Sequence, residues 1–395
     1  MSQEAYLVGG VRTPFGRHRG ALKGARPDDL AAIVLEAALD RANVPRDAVD
    51  VVIYGAANQA GEDNRNVARM AVLLSGLGDE VPGYTVNRLC ASSLQAVASA
   101  AHHIRTGEAD VVVAGGVESM TRAPVVVAKP AREWGAPPEM ADTTLGWRLV
   151  NPRMREVDGG KATISLGETA EEVAVLDGIT REESDAWGLR SQQRTAAAAE
   201  HRKADLVEVP VKDCAVSDDE VPRPNTTMEA LAKLRPSFKA DGVVTAGSAS
   251  PLSDGAGAIV VASGRAVERY GLQPRGRVVA SASAGVPPHI MGLGPVPSTQ
   301  KVLERSGWSV DDLDAVEINE AFATQVIASI RRLGLDEDTV NAEGGAIALG
   351  HPLGASGVRL VIGLLGRLER EGGSRGLATL CVGVGQGMAM LVERV

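Results

Sequence analysis

Short apolar runs recur along this chain, most of them bounded by small or polar residues. Runs of four to six such residues read as buried strands, and they fall at 6–11, 49–54, 111–114, 258–261, 278–282, 315–318 and 377–382. Between many of them the apolar positions change to helical spacing. In one such stretch Leu94, Val97, Ala98, Ala101 and Ile104 mark an apolar face, while the other faces are mostly Ala and Ser. A helix without a strongly polar face is expected to lie enclosed between layers. Strands alternating with helices predict an α/β protein with layered packing.

An internal repeat refines this picture. DAVDVVIYGAA at 47–57 aligns with DDLDAVEINEA at 311–321, a displacement of 264 residues, and ASSL at Ala91 aligns with ASGV at Ala355 at the same displacement. Two similar halves are therefore expected, residues 1–120 (completed by about 251–272) and residues 273–395. The segment 121–250 differs in character, with Pro, Trp and charge clusters. It carries two capping-box starts, Ser165 with Glu168 and Thr180 with Glu183, which predict an inserted, largely helical lobe. The acidic stretch at 217–220 is expected to be a solvated loop.

Composition bounds the function. Aromatics are 3% of the residues and Gly numbers 45, so the core must be built from small aliphatic side chains on closely approaching elements. A length of 395 residues implies two or three domains at about 100–200 residues each. A net charge of −9 argues against a general nucleic-acid or membrane surface, so a phosphate ligand would need a local basic patch. Three Cys without CxxC spacing fit neither a disulfide framework nor a structural zinc site, and point to a reducing compartment. With no apolar stretch of membrane-spanning length and no basic-then-apolar start in MSQEAYLVGGVRTP, the expected location is the cytoplasm.

Three residues carry candidate chemistry. Cys90 sits in VNRLCASSLQAV, where the strand-like YTVN run gives way to a helix start. Free N–H groups and the helix dipole there are expected to favour thiolate against an ordinary pKa of about 8.5. Cys381 sits in ATLCVGVGQG, and His351 in GGAIALGHPLGASG. Two thiols and an imidazole suggest covalent acyl transfer, since a thiol forms thioesters whose energy allows transfer in both directions. Cys214, in KDCAVSDDE, reads as a surface cysteine without a catalytic role. His18, His102, His103, His201 and His289 lack a comparable setting. Asn319 could cap a helix beginning near Ala321.

Taken together, NRLCASSLQAV, INEAFA, GGAIALGHPLGASG and the glycine-rich run after Cys381 resemble the thiolase family nearly end to end. DTTLGWRLVNPRM, MGLGPVP and GVGQGMAMLVERV look most like its β-ketoadipyl-CoA branch. The resemblance implies the thiolase fold, two αβαβα-layered halves with residues 121–250 inserted as a CoA-binding loop domain. It implies Cys90 as nucleophile, His351 as its base and Cys381 as the acid and base at the substrate carbon. One oxyanion hole would be His351 with a water held by Asn319, and another the N–H groups of Cys90 and Gly383. CoA and acyl-CoA would be substrates, with no tightly bound cofactor and no metal. Arg223 would lie near the CoA phosphate, Phe238, Ala246 and Ser250 along pantetheine, and Met291 with Ala321 near the acyl end. A homodimer or homotetramer is implied.

Ser93, Ser248 and Glu343 depart from the family pattern without removing a catalytic group. Ser165 and Leu166 stand where acetoacetyl-CoA thiolases often carry His-Met, which argues against strict short-chain specificity. The competing readings are an acetoacetyl-CoA-forming acetyltransferase, a decarboxylating ketoacyl synthase, a nicotinamide oxidoreductase and a non-catalytic scaffold. A synthase would lack Cys381, and neither LVGGVRTPFG nor GVGQG completes a dinucleotide-binding GxGxxG.

Overall fold

All seven apolar runs lie in strands or overlap them. The computed structural model describes residues 4–212 and 214–395, so the first residues of the amino-terminal stretch and Asp213 lie outside it. The main strands are β1 (Ala5–Arg12), β2 (Val51–Gly55), β3 (Gly83–Val86), β4 (Val111–Ser119), β5 (Ser253–Ser263), β6 (Pro274–Gly285), β7 (Ala315–Ile318), β8 (Arg375–Val382) and β9 (Gln386–Arg394). They form one sheet in the order β7-β8-β9-β6-β1-β5-β4-β2-β3, with a short Gly16–Arg17 strand beside β5.

The duplication is visible in the pairing. β2 runs parallel to β4, which is followed by antiparallel β5 and β1; β7 runs parallel to β8, followed by antiparallel β9 and β6. Val111 and Arg375, which open β4 and β8, are 264 positions apart, the displacement of the sequence repeat. The halves join through a brief antiparallel contact of β1 with β6 around Leu7.

Helices complete the layers: α1 (Pro27–Ala42), α2 (Ser92–Thr106), α3 (Leu166–Asp177), α4 (Arg181–Ala197), α5 (Pro295–Ser306), α6 (Ala323–Leu333) and α7 (Leu353–Glu371). The equivalent helices α2 and α7 lie in the middle. Leu94 and Val97 of α2 share one core with Leu360 and Leu364 of α7 and with strand residues Ile53, Ile259, Leu380 and Met390. Burying a side chain of this size stabilises by about 1.5–3 kcal/mol. α1 covers the outer face of the first half, against Val52, Val113 and Val260; α6 covers that of the second, against Val316, Ile318 and Leu377. The enclosed position expected for the helix after Cys90 is thus observed.

Close approach of the central helices needs small residues. A Cβ on Gly357 would run into the backbone nitrogen of Leu94. Beside it, Ser93 is buried and its hydroxyl accepts the Val358 N–H at 2.9 Å, so this departure from the family pattern cross-links α2 to α7.

Between β4 and β5 the chain forms α3 and α4, each opened by the anticipated capping box, together with short helical turns and two short hairpins. The acidic stretch at 217–220 corrects the expectation of a solvated loop. Ser217 and Asp218 are exposed, but Asp219 accepts hydrogen bonds from buried Arg12 at 2.7 and 2.8 Å, and Glu220 accepts from Arg17. A buried guanidinium on β1 requires a carboxylate, and the insert supplies it. Among the described residues no helix is long and apolar enough to cross a membrane.

Candidate active site

Cys90 is positioned by a strained turn. After β3 ends at Val86, Leu89 adopts a φ of 46°, a left-handed conformation that costs a non-glycine residue about 1–2 kcal/mol. Local hydrogen bonds hold it there. Asn87 Oδ1 accepts the Leu89 N–H at 2.8 Å, while the Ser92 hydroxyl donates to the Leu89 carbonyl at 2.6 Å and accepts the Arg88 N–H at 2.9 Å. The Leu89–Ala91 turn then delivers a buried Cys90 to the start of α2.

His351 occupies the corresponding loop of the second repeat, just before α7. Its Nδ1 is 2.6 Å from the Ser356 hydroxyl, which donates its own hydrogen to the Pro352 carbonyl at 2.9 Å. With its hydrogen committed there, Ser356 accepts from Nδ1–H, which puts the basic lone pair of the ring on Nε2. Asn319 Nδ2 lies 3.3 Å from Nε2, and Asn319 Oδ1 is buried with no hydrogen-bond partner among the described residues. The capping role is corrected: α6 begins at Ala323 behind Phe322, without a side-chain cap.

Cys381 is buried near the end of β8, and Gly383 follows the strand. Cys90, His351 and Cys381 line one mainly apolar cavity of about 330 Å³, together with Phe238, Ser250, Met291 and Ala321. Arg223 and Ala246 instead line a neighbouring surface cavity of about 400 Å³, and Pro251 borders both. A third cavity of about 160 Å³ is lined by Gly383 and also by Cys90. The Gly383 N–H is a donor that favours the Cys90 thiolate. Its lack of a side chain is required, because a Cβ would come 2.8 Å from the Trp147 ring.

Electrostatics reverse one expectation. Burial pushes the Cys90 thiol up to about 12, against the opposing N–H groups of Gly383 and Cys90, and burial also raises Cys381. Burial, helped by Arg359, lowers His351 to about 3. The thiolate-favouring helix start is outweighed because Cys90 is enclosed without a neighbouring cation. The resting site therefore holds a neutral thiol and a neutral imidazole.

Cys214 is exposed. None of His18, His102, His103, His201 and His289 lines the cavities that reach Cys90. Sequence reasoning missed Ser356, Trp147 and Glu118. Glu118 accepts the N–H groups of Ala57, Asn58 and Gly354 at 2.9, 3.0 and 2.9 Å, tying a first-repeat loop to the start of α7; burial pushes its carboxyl to about 7. Ser356 had a visible signal, a hydroxyl one helical turn into the segment after His351.

Residues 5–265 match the thiolase N-terminal domain model, and residues 272–394 match the thiolase C-terminal domain model. The chain belongs to the thiolase family. As a thiolase it is an acyltransferase, and its reaction is CoA-dependent thiolytic cleavage of a 3-ketoacyl thioester or the reverse condensation. Full-length similarity agrees. The chain is 51% identical over 403 residues to a β-ketoadipyl-CoA thiolase of Escherichia coli, covering 100% of both chains. It is 43% identical over 401 residues to an acetyl-CoA acetyltransferase of Syntrophomonas wolfei, again covering 100% of both. Among solved thiolases, human mitochondrial 3-ketoacyl-CoA thiolase in complex with CoA superposes with a TM-score of 0.93 at 40% identity, covering 100% of this chain and 98% of that one. The Bacillus anthracis acetyl-CoA acetyltransferase gives 0.92 at 40% identity, with coverages of 100% and 99%. The nicotinamide oxidoreductase reading is set aside by this membership.

The remaining departures also have structural uses. The Ser248 hydroxyl accepts the Thr245 N–H at 2.9 Å, and Glu343 accepts from Arg370 at 2.6 and 2.7 Å. Leu166 borders both cavities that meet at Cys90.

Proposed function

We propose that this thiolase cleaves 3-ketoacyl-CoA through an acyl-Cys90 intermediate, with 3-ketoadipyl-CoA as its preferred substrate type. The convergence of Cys90, His351 and Cys381 on one cavity carries the assignment of roles. His351 Nε2 takes the Cys90 proton as sulfur attacks the 3-keto carbon; both groups being neutral at rest, transfer and attack proceed together. The N–H groups of Cys90 and Gly383 bind the resulting oxyanion. As that intermediate collapses, the C2–C3 bond breaks and the enolate of acetyl-CoA leaves. Its oxygen is stabilised by protonated His351 and a water held by Asn319, whose uncommitted Oδ1 offers an acceptor.

Cys381 donates its proton to C2. It then takes the proton of incoming CoA, whose thiolate attacks the acyl carbon; Cys90 leaves as thiolate and recovers its proton from His351. Arg223 would pair with a CoA phosphate in its surface cavity, Ala246 and Pro251 would pass the chain inward, and Phe238, Ser250, Met291 and Ala321 would line the path to the thiols. The inserted segment 121–250 thus acts as the CoA-binding domain between halves 1–120 and 273–395. The protein would work in the cytoplasm, where both thiols stay reduced. A homodimer or homotetramer is favoured by β3, a sheet-edge strand with backbone open to pairing.

The substrate preference rests on the full-length β-ketoadipyl-CoA thiolase relatives. The second reading, an acetoacetyl-CoA-forming enzyme, draws on the acetyl-CoA acetyltransferase relatives. Mass spectrometry after exposure to acetyl-CoA should place an acetyl group on Cys90, and Cys90→Ser should lose the adduct and the activity. Solvent deuterium exchange into the acetyl-CoA methyl should vanish in Cys381→Ala while the Cys90 adduct still forms. An adduct on Cys381 would reverse the roles of the two thiols.

A further inference from the structure

Cys90 stands at the junction of two unlike cavities. The larger is mainly apolar and holds His351 and Cys381. The smaller, about 160 Å³, shares Cys90, Leu145, Gly146, Leu166 and Leu353 with it, and its own wall includes Asn58, Asn87, Glu118, Thr144, Trp147 and Arg148. With CoA in the larger one, the smaller is the space beside Cys90 left for the substituent beyond the attacked carbon. An engineered cavity of about 150 Å³ admits benzene, so this space suits a tail of about five non-hydrogen atoms.

The hydrogen-bonding capacity of that wall is nearly all committed. Asn58 Nδ2 donates to Thr143 Oγ1 at 2.9 Å, Asn87 Nδ2 to the Ala57 carbonyl at 2.9 Å, and the Thr144 hydroxyl to Asp142 at 2.6 Å. Both Glu118 oxygens accept backbone N–H groups. The Trp147 indole donates to the Ile164 carbonyl at 3.2 Å. Arg148 is the exception: half-buried on the wall, it has no hydrogen-bond or ion-pair partner among the described residues.

We propose that Arg148 is a specificity-determining residue that pairs with a terminal carboxylate on the acyl chain, so that this cavity selects 3-oxo-dicarboxylyl thioesters over neutral 3-ketoacyl thioesters. The inference rests on the thiolase reading and adds the residue that reads the tail. A planar guanidinium binds a carboxylate by two parallel hydrogen bonds, a geometry Lys does not match. The apolar cavity offers no such compensation, and burying an unpaired carboxylate there would be costly. The chain beyond the keto carbon of a 3-ketoadipyl group, two methylenes and a carboxylate, has about five non-hydrogen atoms, which fits the volume.

The test compares 3-ketoadipyl-CoA with 3-ketohexanoyl-CoA, in which a methyl replaces the carboxylate, and with acetoacetyl-CoA, whose methyl stops short of Arg148. Parent enzyme should favour 3-ketoadipyl-CoA over 3-ketohexanoyl-CoA at least tenfold in kcat/KM. Arg148→Met should lower kcat/KM for 3-ketoadipyl-CoA by about 10- to 100-fold, the range for a charged hydrogen-bonded contact, mainly through KM. Arg148→Lys should restore part of it. Acetoacetyl-CoA should change by less than about threefold. A parallel fall for all three substrates, or a parent enzyme indifferent to the carboxylate, would overturn the proposal. The parent comparison decides the matter even if the variants fail to fold. Failure of the parent to cleave any 3-ketoacyl-CoA would instead strike the thiolase reading itself.

Discussion

Ser356→Ala isolates the feature that would fit His351 for its proposed role as base. The hydroxyl accepts the Nδ1–H at 2.6 Å inside a buried site, and the Pro352 carbonyl that it serves in turn also accepts the backbone N–H of Ser356 at 3.0 Å. Removing the hydroxyl therefore leaves the carbonyl partnered but orphans the imidazole N–H. An orphaned buried donor costs about 1–3 kcal/mol, and the ring can escape that cost by moving its hydrogen to Nε2 or by turning. Either escape displaces the basic lone pair from the position in which Ser356 holds it. If the productive form becomes unfavourable by that amount, acylation slows by about five- to 150-fold, at 1.36 kcal/mol per decade. Rapid quench followed by mass spectrometry, with acetyl-CoA in excess, measures acetylation of Cys90 directly. Alkylation of Cys90 by iodoacetamide, which draws on the free thiolate and not on the base, should change by less than about twofold. An acetylation rate within twofold of the parent enzyme, accompanied by a lower melting temperature, would show that Ser356 only packs the loop and that the inferred tautomer is wrong.

Gly383→Ala should lower kcat by at least about tenfold, since the new Cβ would lie 2.8 Å from Trp147 and would shift the Gly383 N–H; an unchanged kcat would remove that N–H from the proposed oxyanion hole. The raised thiol predicts the pH dependence. With Cys90 pushed up to about 12, its thiolate fraction grows tenfold per pH unit throughout pH 6–10, so the alkylation rate, followed by mass spectrometry, should climb without a plateau. A plateau below pH 7 would mean a preformed thiolate and would refute the neutral resting site.

Periodicity found the strands best where both faces are buried. The run at 315–318 coincides with β7, and the run at 377–382 falls two residues short of the start of β8. Elsewhere it underestimated length, as in β4 and β5, which continue through Glu118, Ser119, Asp254 and Gly255. Those residues do not look like a strand because they serve the site and its supports: Glu118 gathers three N–H groups, and Asp254 accepts from Thr121. β9 is likewise covered on both faces over most of its length and yet went unrecognised, because Met and Ala, three of the five apolar residues in MAMLV, favour helix over strand. At the site, residue types and helix starts exposed the chemistry. They could not disclose the net charge state, which depends on how completely the chain closes over Cys90 and His351. Nor could they place Arg148, whose meaning comes from what the neighbouring side chains have already bonded.

The duplication explains why two residues so distant in sequence form one site. Each repeat ends a strand-and-loop unit at the start of a central helix, and the two central helices pack directly on one another at Gly357 and Leu94. Position 90 displaced by 264 is 354, one turn from His351, so the proposed nucleophile and base occupy nearly equivalent loops that line one cavity beside the helix pair. Glu118 strengthens this arrangement by bonding the N–H groups of Ala57 and Asn58 in one repeat and of Gly354 in the other. Because a Cβ at Gly357 would already meet the Leu94 backbone, a larger side chain there would push the two helices, and with them thiol and imidazole, apart. The low aromatic content and abundant glycine of the chain are thus a condition of the chemistry, since bulkier residues between the central helices would hold the two loops apart.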